Sequence, residues 1–401
     1  MPTETAVTNK LTIDRLQVNG KRVLVRVDFN VPVDKGEVTD ATRIRESLPT
    51  IQKLIHDGAK LILMSHLGRP KKGPAPEFSL APVRKKLSDF LGRPVEFAPD
   101  CIGTEAEAKA NGLKAGEVLL LENLRFHPEE EKNDPEFAKK LARLGEIYVN
   151  DAFGTAHRAH ASTEGVTRYF EKRAAGYLMQ KELKFLGQLL SEPERPFVAI
   201  LGGAKVSDKI AVIENLLPKV DKLLIGGGMA YTFMAAEGKK VGNSILEPER
   251  FELARMLLQK GKDKIVLPED SMVAPEVKPD ITVQIYPSDE IPDGLKGLDI
   301  GPKAAEKFCA VLDKAKTVLW NGPMGVFEVP PFDAGTRKIG KKLAEISARG
   351  AITVVGGGDS AAACVKFGLS DKMSHISTGG GASLEFLEGK ILPGVAALSD
   401  A

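Results

Sequence analysis

Residues 352–363 read ITVVGGGDSAAA. Four β-branched residues, Ile352 to Val355, stop at Gly356, Gly357 and Gly358, and Asp359, Ser360 and three alanines follow. β-Branched side chains suit a strand, consecutive glycines a turn, and Asp, Ser and Ala the opening of a helix. A strand that turns directly into a helix is the unit of an α/β fold. Gly356, Gly358 and Ala361 also fit the loose dinucleotide fingerprint G-x-G-x-x-G/A at the strand-to-helix turn it requires. The stretch therefore holds either a nicotinamide dinucleotide or some other phosphate, and the rest of the chain has to separate the two.

The same alternation runs almost end to end. In the first half, strands are expected at KRVLVRVDF (21–29), KLILMSHL (60–67), EVLLLENL (117–124) and EIYVNDAF (146–153), with helical patterns at 41–58 and 134–145 between them. A longer pattern, AGYLMQKELKFLGQLLSE (175–192), carries apolar residues at helical spacing and ends at the breaker PERP. The second half restarts with PFVAILGG (196–203), KLLIGGG (222–228), KIVLPED (264–270), TVLWNGP (317–323), ITVVGGG (352–358) and SHISTGGG (374–381). Strands alternating with helices of this length imply βαβ units and parallel sheets. The architecture this predicts is two tandem, doubly wound, Rossmann-like α/β domains facing a cleft. The first covers residues 1–185 and the second 186–388, with the boundary on or just after the long helix.

Composition agrees. A single core rarely grows past roughly 250–300 residues, so 401 residues imply two domains. The formal net charge is only +2, which argues against a nucleic-acid partner bound through a global basic field. No two of Cys101, Cys309 and Cys364 are close in sequence, so neither a disulfide framework nor a CxxC metal site is indicated. That usage fits a reducing cytoplasm. The polar N-terminus, MPTETAVTNK, lacks the apolar core of a signal peptide. The longest apolar stretch, residues 223–236, is too short and glycine-rich to span a bilayer, so no membrane partner is expected.

In open α/β sheets, ligands bind outside the carboxyl ends of the strands. In the second half those ends are glycine clusters: Gly202–Gly203, Gly226 to Gly228, Gly322, Gly356 to Gly358 and Gly379 to Gly381. In the first half they are polar: Asp28 and Asn30, His66 and Arg69, Asn123 and Arg125, Asn150 and Asp151, then His157 and Arg158. Glycines let a backbone approach a phosphate-bearing ligand, whereas converging arginines suit a small polyanion. Each motif also has a plainer reading. GGAKVSDK (202–209) opens a helix with Lys205 and Lys209 one turn apart, or is a glycine turn with two solvated lysines. Asp359 holds a Mg²⁺ that bridges phosphates, or simply caps a helix. Glu328 bonds ribose hydroxyls, or is a solvated acid. His157 and His160, spaced i, i+3, form a metal pair or contact an anion; no HExxH pattern accompanies them. A nicotinamide site needs an acidic residue about 20 residues on, at the end of the next strand, and SHISTGGG offers none, which weakens that reading. An NAD-dependent dehydrogenase and a non-catalytic anion-binding protein remain the rival classes.

The ordered series DFNVP, RIR, SHLGRP, LENLRFH, DAFGTAHRAH, LGGAKVSDK, GGGMA, NGPMGVFE, GGGDS and STGGGASLE closely resembles the phosphoglycerate kinase family, from about Leu11 onward. The residues before Asn9 look like a family-variable extension. The resemblance implies a monomeric cytoplasmic enzyme for reversible phosphoryl transfer between 1,3-bisphosphoglycerate and ADP, giving 3-phosphoglycerate and ATP with Mg²⁺. It implies glycerate ligands at Asp28, Phe29, Asn30, Arg43, His66, Leu67, Gly68, Arg69, Arg125 and Arg158. It implies nucleotide ligands at Gly203, Ala204, Lys205, Lys209, Gly227, Gly228, Glu328, Gly357, Gly358, Asp359 and Ser360, with Asp359 at the metal. Arg43, Lys205, Gly358 and Gly381 are the implied catalytic set, and residues 389–401 are implied to return to the first domain. On that reading ITVVGGGDSAAA is a nucleotide phosphate and Mg²⁺ turn.

Overall fold

In the computed structural model, residues 9–71 and 73–401 are described. The polar stretch before Asn9, read above as lacking a signal core and as a variable extension, lies outside the described residues. The chain forms two compact units: one runs to Gly187 and resumes at Ile391, and the other spans Gln188–Lys390.

The first unit is built on six strands: β1 (Arg22–Arg26), β2 (Lys60–Met64), β3 (Glu96–Ala98), β4 (Val118–Leu121), β5 (Ile147–Asn150) and β6 (Arg173–Ala175). Their order is β3-β4-β2-β1-β5-β6, and every neighbouring pair is parallel. A parallel sheet is covered on both faces and its strands read as nearly continuous apolar runs; β2 and β4 fit that rule, with KLIL and VLLL. The covering helices show the complementary periodicity. In Thr42–His56, buried Ile44, Ile51 and Leu54 share one face and pack with Val23, Val25, Leu61 and Leu63 of the sheet.

The second unit repeats the plan. Among its strands are β7 (Phe197–Leu201), β8 (Lys222–Ile225), β9 (Ile265–Val266), β10 (Asp270–Ala274), β11 (Gln284–Pro287), β12 (Lys296–Ile300), β13 (Thr317–Asn321), β14 (Ile352–Gly356) and β15 (His375–Ile376). Six of these form a parallel sheet ordered β9-β8-β7-β13-β14-β15. The remaining three make a separate antiparallel sheet, β11-β10-β12. Sequence had shown one strand at 264–270; the structure divides that region between β9 and β10 and turns the chain through the antiparallel sheet before the main sheet resumes. Buried Trp320 of β13 sits in the main core with Phe308, Ile339 and Leu343 from the flanking helices.

The long helix expected at 175–192 spans Tyr177–Ser191, and the unit boundary falls inside it at Gly187 and Gln188. The returning C-terminal segment adds to the first unit by backbone bonds. Leu11 N donates to Ser399 O at 2.8 Å and Gly394 N to Ala156 O at 2.8 Å, and Lys10 pairs with Asp400 at 2.7 Å.

Candidate active site

In the first unit the polar residues singled out in the sequence gather at the carboxyl edge of the sheet. Asp28 follows β1, and its carboxylate Oδ2 accepts from Arg43 Nη1 at 2.8 Å, fixing the first turn of helix Thr42–His56 against the strand end. Phe29 is buried, and its N–H donates to Ser65 Oγ at 2.8 Å. Gly68 links two neighbours: its N–H donates to Asn30 Oδ1 at 2.8 Å and its carbonyl accepts from Arg125 Nη1 at 2.8 Å. A side chain at Gly68 would meet the Phe78 ring at 2.5 Å on a backbone with φ of +62°, so only glycine fits there. Asn123 holds the loop from the other side, bonding both N–H and C=O of Leu67 at 3.1 and 2.7 Å. Arg69 is exposed and lines a cavity of about 540 Å³ with Arg125, Lys71 and Lys132. Arg158 Nε donates to His157 Nε2 at 3.2 Å.

The centre of this group is His66. Burial, and then the charges of Arg26, Arg125, Arg43 and Arg158, hold its imidazole well below the ordinary histidine range. Arg26 Nη2 lies 3.1 Å from His66 Nδ1. A guanidinium only donates, so Nδ1 is the acceptor and Nε2 carries the proton. His66 is thus a neutral donor among four cations.

Sequence reading missed what lies beneath. Arg26 is buried in β1, donates Nε to Ser162 Oγ at 2.8 Å, and is bonded to the Val27 carbonyl. Ser162 in turn donates its N–H and its hydroxyl to the buried Glu130 at 2.9 and 2.5 Å. Glu130, Ser162, Arg26 and His66 are one hydrogen-bonded relay. The available signal was a lone arginine inside the apolar run VLVRV. His160 Nδ1 stands 4.0 Å from Glu130, and burial pushes His160 down to about 4. Among the described residues, His157 and His160 belong to no grouping of three or more metal-type donors; the one such grouping is Asp100, Cys101 and His127.

In the second unit the glycine clusters divide into two kinds. A Cβ on Gly202 would come 2.0 Å from Pro323 O, one on Gly322 2.2 Å from Gly202 O, and one on Gly227 2.6 Å from Gly203 N. The turns after β7, β8 and β13 therefore pack backbone against backbone, and these glycines serve the fold first. By contrast, nothing lies within 4 Å of the free side of Gly203, Gly358 or Gly380. Gly357 has φ of +88° and precedes helix Gly358–Lys366. Gly228 immediately precedes helix Met229–Ala236, and Gly381 opens helix Gly381–Leu387.

Lys209 is the charged centre. Its Nζ donates to Asn321 Oδ1 at the end of β13. Burial lowers its pKa, while Asp208, Asp359 and Glu388 oppose that shift. The Asn321 Nδ2 is buried without a partner and faces Gly357, 3.2 Å from where a Cβ would stand. Asn321, overlooked in the sequence, therefore joins Lys209 to the GGGDS turn; WNGP at a strand end was its only signal. Asp359 is exposed in the first turn of Gly358–Lys366, whose N-cap is Gly357, so the capping reading of Asp359 is set aside. Ser360 is buried, and its Oγ accepts from Gly322 N at 2.6 Å, tying two turns together.

Two expectations are corrected. GGAKVSDK does not open a helix at Gly202: the helix is Ile210–Leu216, with Lys209 just before it. Lys205 and Ala204 lie in an exposed loop, so Lys205 and Lys209 are not neighbours on one helix face. The loop is braced instead by Glu247, which accepts from the N–H and hydroxyl of Ser207 at 3.0 and 2.6 Å. Glu328 is exposed, and its backbone carbonyl is held by Lys366 Nζ at 3.0 Å.

The family model for phosphoglycerate kinase matches residues 13–390. The phosphoglycerate kinase of Chlorobium luteolum is 59% identical over 394 residues, 97% of this chain and 99% of that protein. That of Chlorobaculum tepidum is 58% identical over 395 residues, 98% of this chain and 100% of that protein. Among solved structures, phosphoglycerate kinase from Coxiella burnetii superposes with a TM-score of 0.90 at 42% identity, covering 97% of this chain and 98% of that one. The enzyme from Pyrococcus horikoshii gives 0.82 at 34% identity, with 97% and 98% covered. Matched in sequence and fold over nearly its whole length, the chain belongs to the phosphoglycerate kinase family, whose enzymes reversibly transfer a phosphoryl group between 1,3-bisphosphoglycerate and ADP.

Proposed function

We propose that the two strand-end clusters divide the reaction between them. The first unit takes the glycerate through Asp28, Asn30, Arg43, His66, Arg69, Arg125 and Arg158, with the Phe29 and Leu67–Gly68 backbone shaping the site. The second takes the nucleotide through Gly203 to Lys205, Lys209, Gly227, Gly228, Glu328 and Gly357 to Ser360. The convergence of four arginine charges on one neutral imidazole carries the glycerate reading. Such a site favours a small, multiply charged anion, and His66 adds a hydrogen-bond donor without another charge.

The residues of the second unit fit Mg²⁺. Asp359 presents an exposed carboxylate, with no partner among the described residues, beside an open glycine turn and in the field of Lys209. A hard carboxylate oxygen suits that ion. Asp359 would hold the ion with the nucleotide, where it would supply charge neutralisation of the phosphates. Lys209 then binds phosphate from its place on Asn321, and Glu328 takes the ribose hydroxyls.

Chemistry at the transferred group needs positioning and charge rather than proton transfer. The donor is an acyl phosphate, so a carboxylate leaves without a general acid, and the attacking phosphate oxygen is already anionic. Arg43, Lys205 and the backbone N–H groups of Gly358 and Gly381 supply positive density around the moving phosphoryl group. The enzyme works as a cytoplasmic monomer. Three free cysteines suit a reducing compartment. Among the described residues no helix is long and apolar enough to cross a membrane.

Calorimetric titration tests the division. Arg158→Ala is expected to weaken 3-phosphoglycerate binding at least tenfold with Mg-ATP affinity unchanged, and Lys209→Ala the reverse. If either variant lost the other unit's ligand, the assignment would fail.

A further inference from the structure

At the edge of the first sheet, beside the Arg69 and Arg125 cavity, three donors of different chemistry meet. Asp100 and Cys101 follow edge strand β3, and His127 follows the turn Leu124–Phe126 after the adjacent β4. One sulfur, one nitrogen and one carboxylate oxygen all lie within 4.8 Å of one another. Two protons hold them together. His127 Nε2 lies 2.7 Å from Asp100 Oδ1, and the Cys101 N–H donates to the same oxygen at 2.6 Å. The parallel pairing Ala98↔Leu121 fixes the two strand ends side by side, and the His127 ring packs on Phe137 with centroids 5.2 Å apart.

We propose that Asp100, Cys101 and His127 form a binding site for a thiophilic divalent cation of the zinc type. A soft sulfur, a borderline imidazole and a single hard oxygen select such an ion over Mg²⁺ or Ca²⁺, which call for oxygen ligands. A tetrahedral ion with bonds of roughly 2.0–2.3 Å keeps its donors about 3.3–3.8 Å apart, so closing the cluster takes side-chain rotation and no movement of the strands. On binding, the metal–sulfur bond replaces the thiol S–H, and that proton goes to solvent. The imidazole proton passes from Nε2 to Nδ1 as the Nε2 lone pair turns to the metal.

The fourth position opens on a cavity of about 420 Å³, lined by Pro99, Asp100, Glu122, Phe126 and His127. Glu122 is not the fourth ligand, because its carboxylate already accepts from Ser79 Oγ, Leu80 N and Asn123 N at 2.7–2.8 Å. Water from the cavity fills that place. His127 also lines the cavity of Arg69 and Arg125, so the titration is run with neither glycerate nor nucleotide present.

Co²⁺, titrated into the full-length, nucleotide-free protein, is the probe. The expected result is a thiolate-to-cobalt charge-transfer band, with tetrahedral visible absorption, that saturates at one equivalent and is removed by excess Zn²⁺. Cys309→Ala and Cys364→Ala should keep the band, whereas Cys101→Ala and His127→Gln should lose it. His127 is only partly buried, so His127→Gln keeps the test decisive if Cys101→Ala does not fold. No charge-transfer band at one equivalent, or a band that persists in His127→Gln, would overturn the proposal.

Discussion

Lys205 and Lys209 differ in environment, and under the proposed function that difference gives them different work. Lys209 is largely buried and already bonded to Asn321, so its charge is in place before ligand arrives. Lys205 stands exposed on a loop, held among the described residues only by the charge of Glu247, and a charge held this loosely contributes most when a ligand orders it. Lys205→Met is therefore expected to lower kcat by about 10²–10³-fold, the scale of losing one stabilising donor in the transition state, with much smaller change in nucleotide affinity. A kcat near wild type would remove Lys205 from the catalytic set. Asp359→Asn replaces a carboxylate with a neutral amide, a poorer ligand for a hard cation. The Mg²⁺ concentration giving half-maximal rate should rise, and an unchanged Mg²⁺ titration would exclude Asp359 as the metal contact.

At the scale of elements, the helix Tyr177–Ser191 starts on a buried acid. Asp151 Oδ1 accepts the N–H groups of Leu178 and Met179 at 2.9 and 3.3 Å, in the helix's first turn. Helix N-termini favour an anion, yet burial outweighs that here and pushes the carboxyl up to about 7, from 3.8. Between those values the folded chain keeps a proton that the unfolded chain has released. Through this group, stability falls as pH rises from about 4 to about 7. Asp151→Asn keeps an acceptor for both N–H groups and removes the titration. The variant should match wild type in thermal midpoint near pH 4 and gain on it progressively toward pH 8. A difference that stays flat with pH would show that Asp151 does not titrate in this window.

Elements were also where sequence was most and least informative. β1, β2, β4 and β5 announce themselves as apolar runs because both faces of a parallel sheet are covered. Edge strands β3 and β6, EFA and RAA, have three residues each and no such run. The sheet β11-β10-β12 was hidden for a similar reason: β11, QIYP, has no buried residue, so burial imposed no alternation on it. At the site, the arginines and glycines at strand ends were legible because topology dictates where ligands meet a parallel sheet. Glu130 and Asn321 were not, since one lies under the site and the other depends on a turn from a neighbouring strand. The Lys205–Lys209 pairing misled because glycine-rich turns delay the helix by several residues.

For the whole molecule, the division of ligand residues has a mechanical implication. The proposed glycerate residues precede 160 and the nucleotide residues follow 200, in units that meet covalently at Gly187–Gln188 and Lys390–Ile391. In-line transfer requires the reacting atoms about 3–3.5 Å apart, and exclusion of water protects an acyl phosphate from hydrolysis. Binding both ligands should draw the units together, pivoting near the end of helix Tyr177–Ser191 and the PERP that follows, since hinges sit at element termini. Solution X-ray scattering should show a smaller radius of gyration with both ligands than with either alone. An unchanged radius in the ternary complex would rule out large-scale closure.

The return of residues 391–401 to the first unit also sets an order of events during synthesis. Everything the second unit needs lies between Gln188 and Lys390, so its fold does not draw on the terminal segment. The first unit, though translated earlier, lacks the segment that bonds to Leu11, Ala156 and Arg173 until the other half has left the ribosome. The half born first waits for the last residues made. A chain truncated after Lys390 would carry a complete second unit beside a first unit still open along β6, at the Leu11 backbone and at the Ala156 loop.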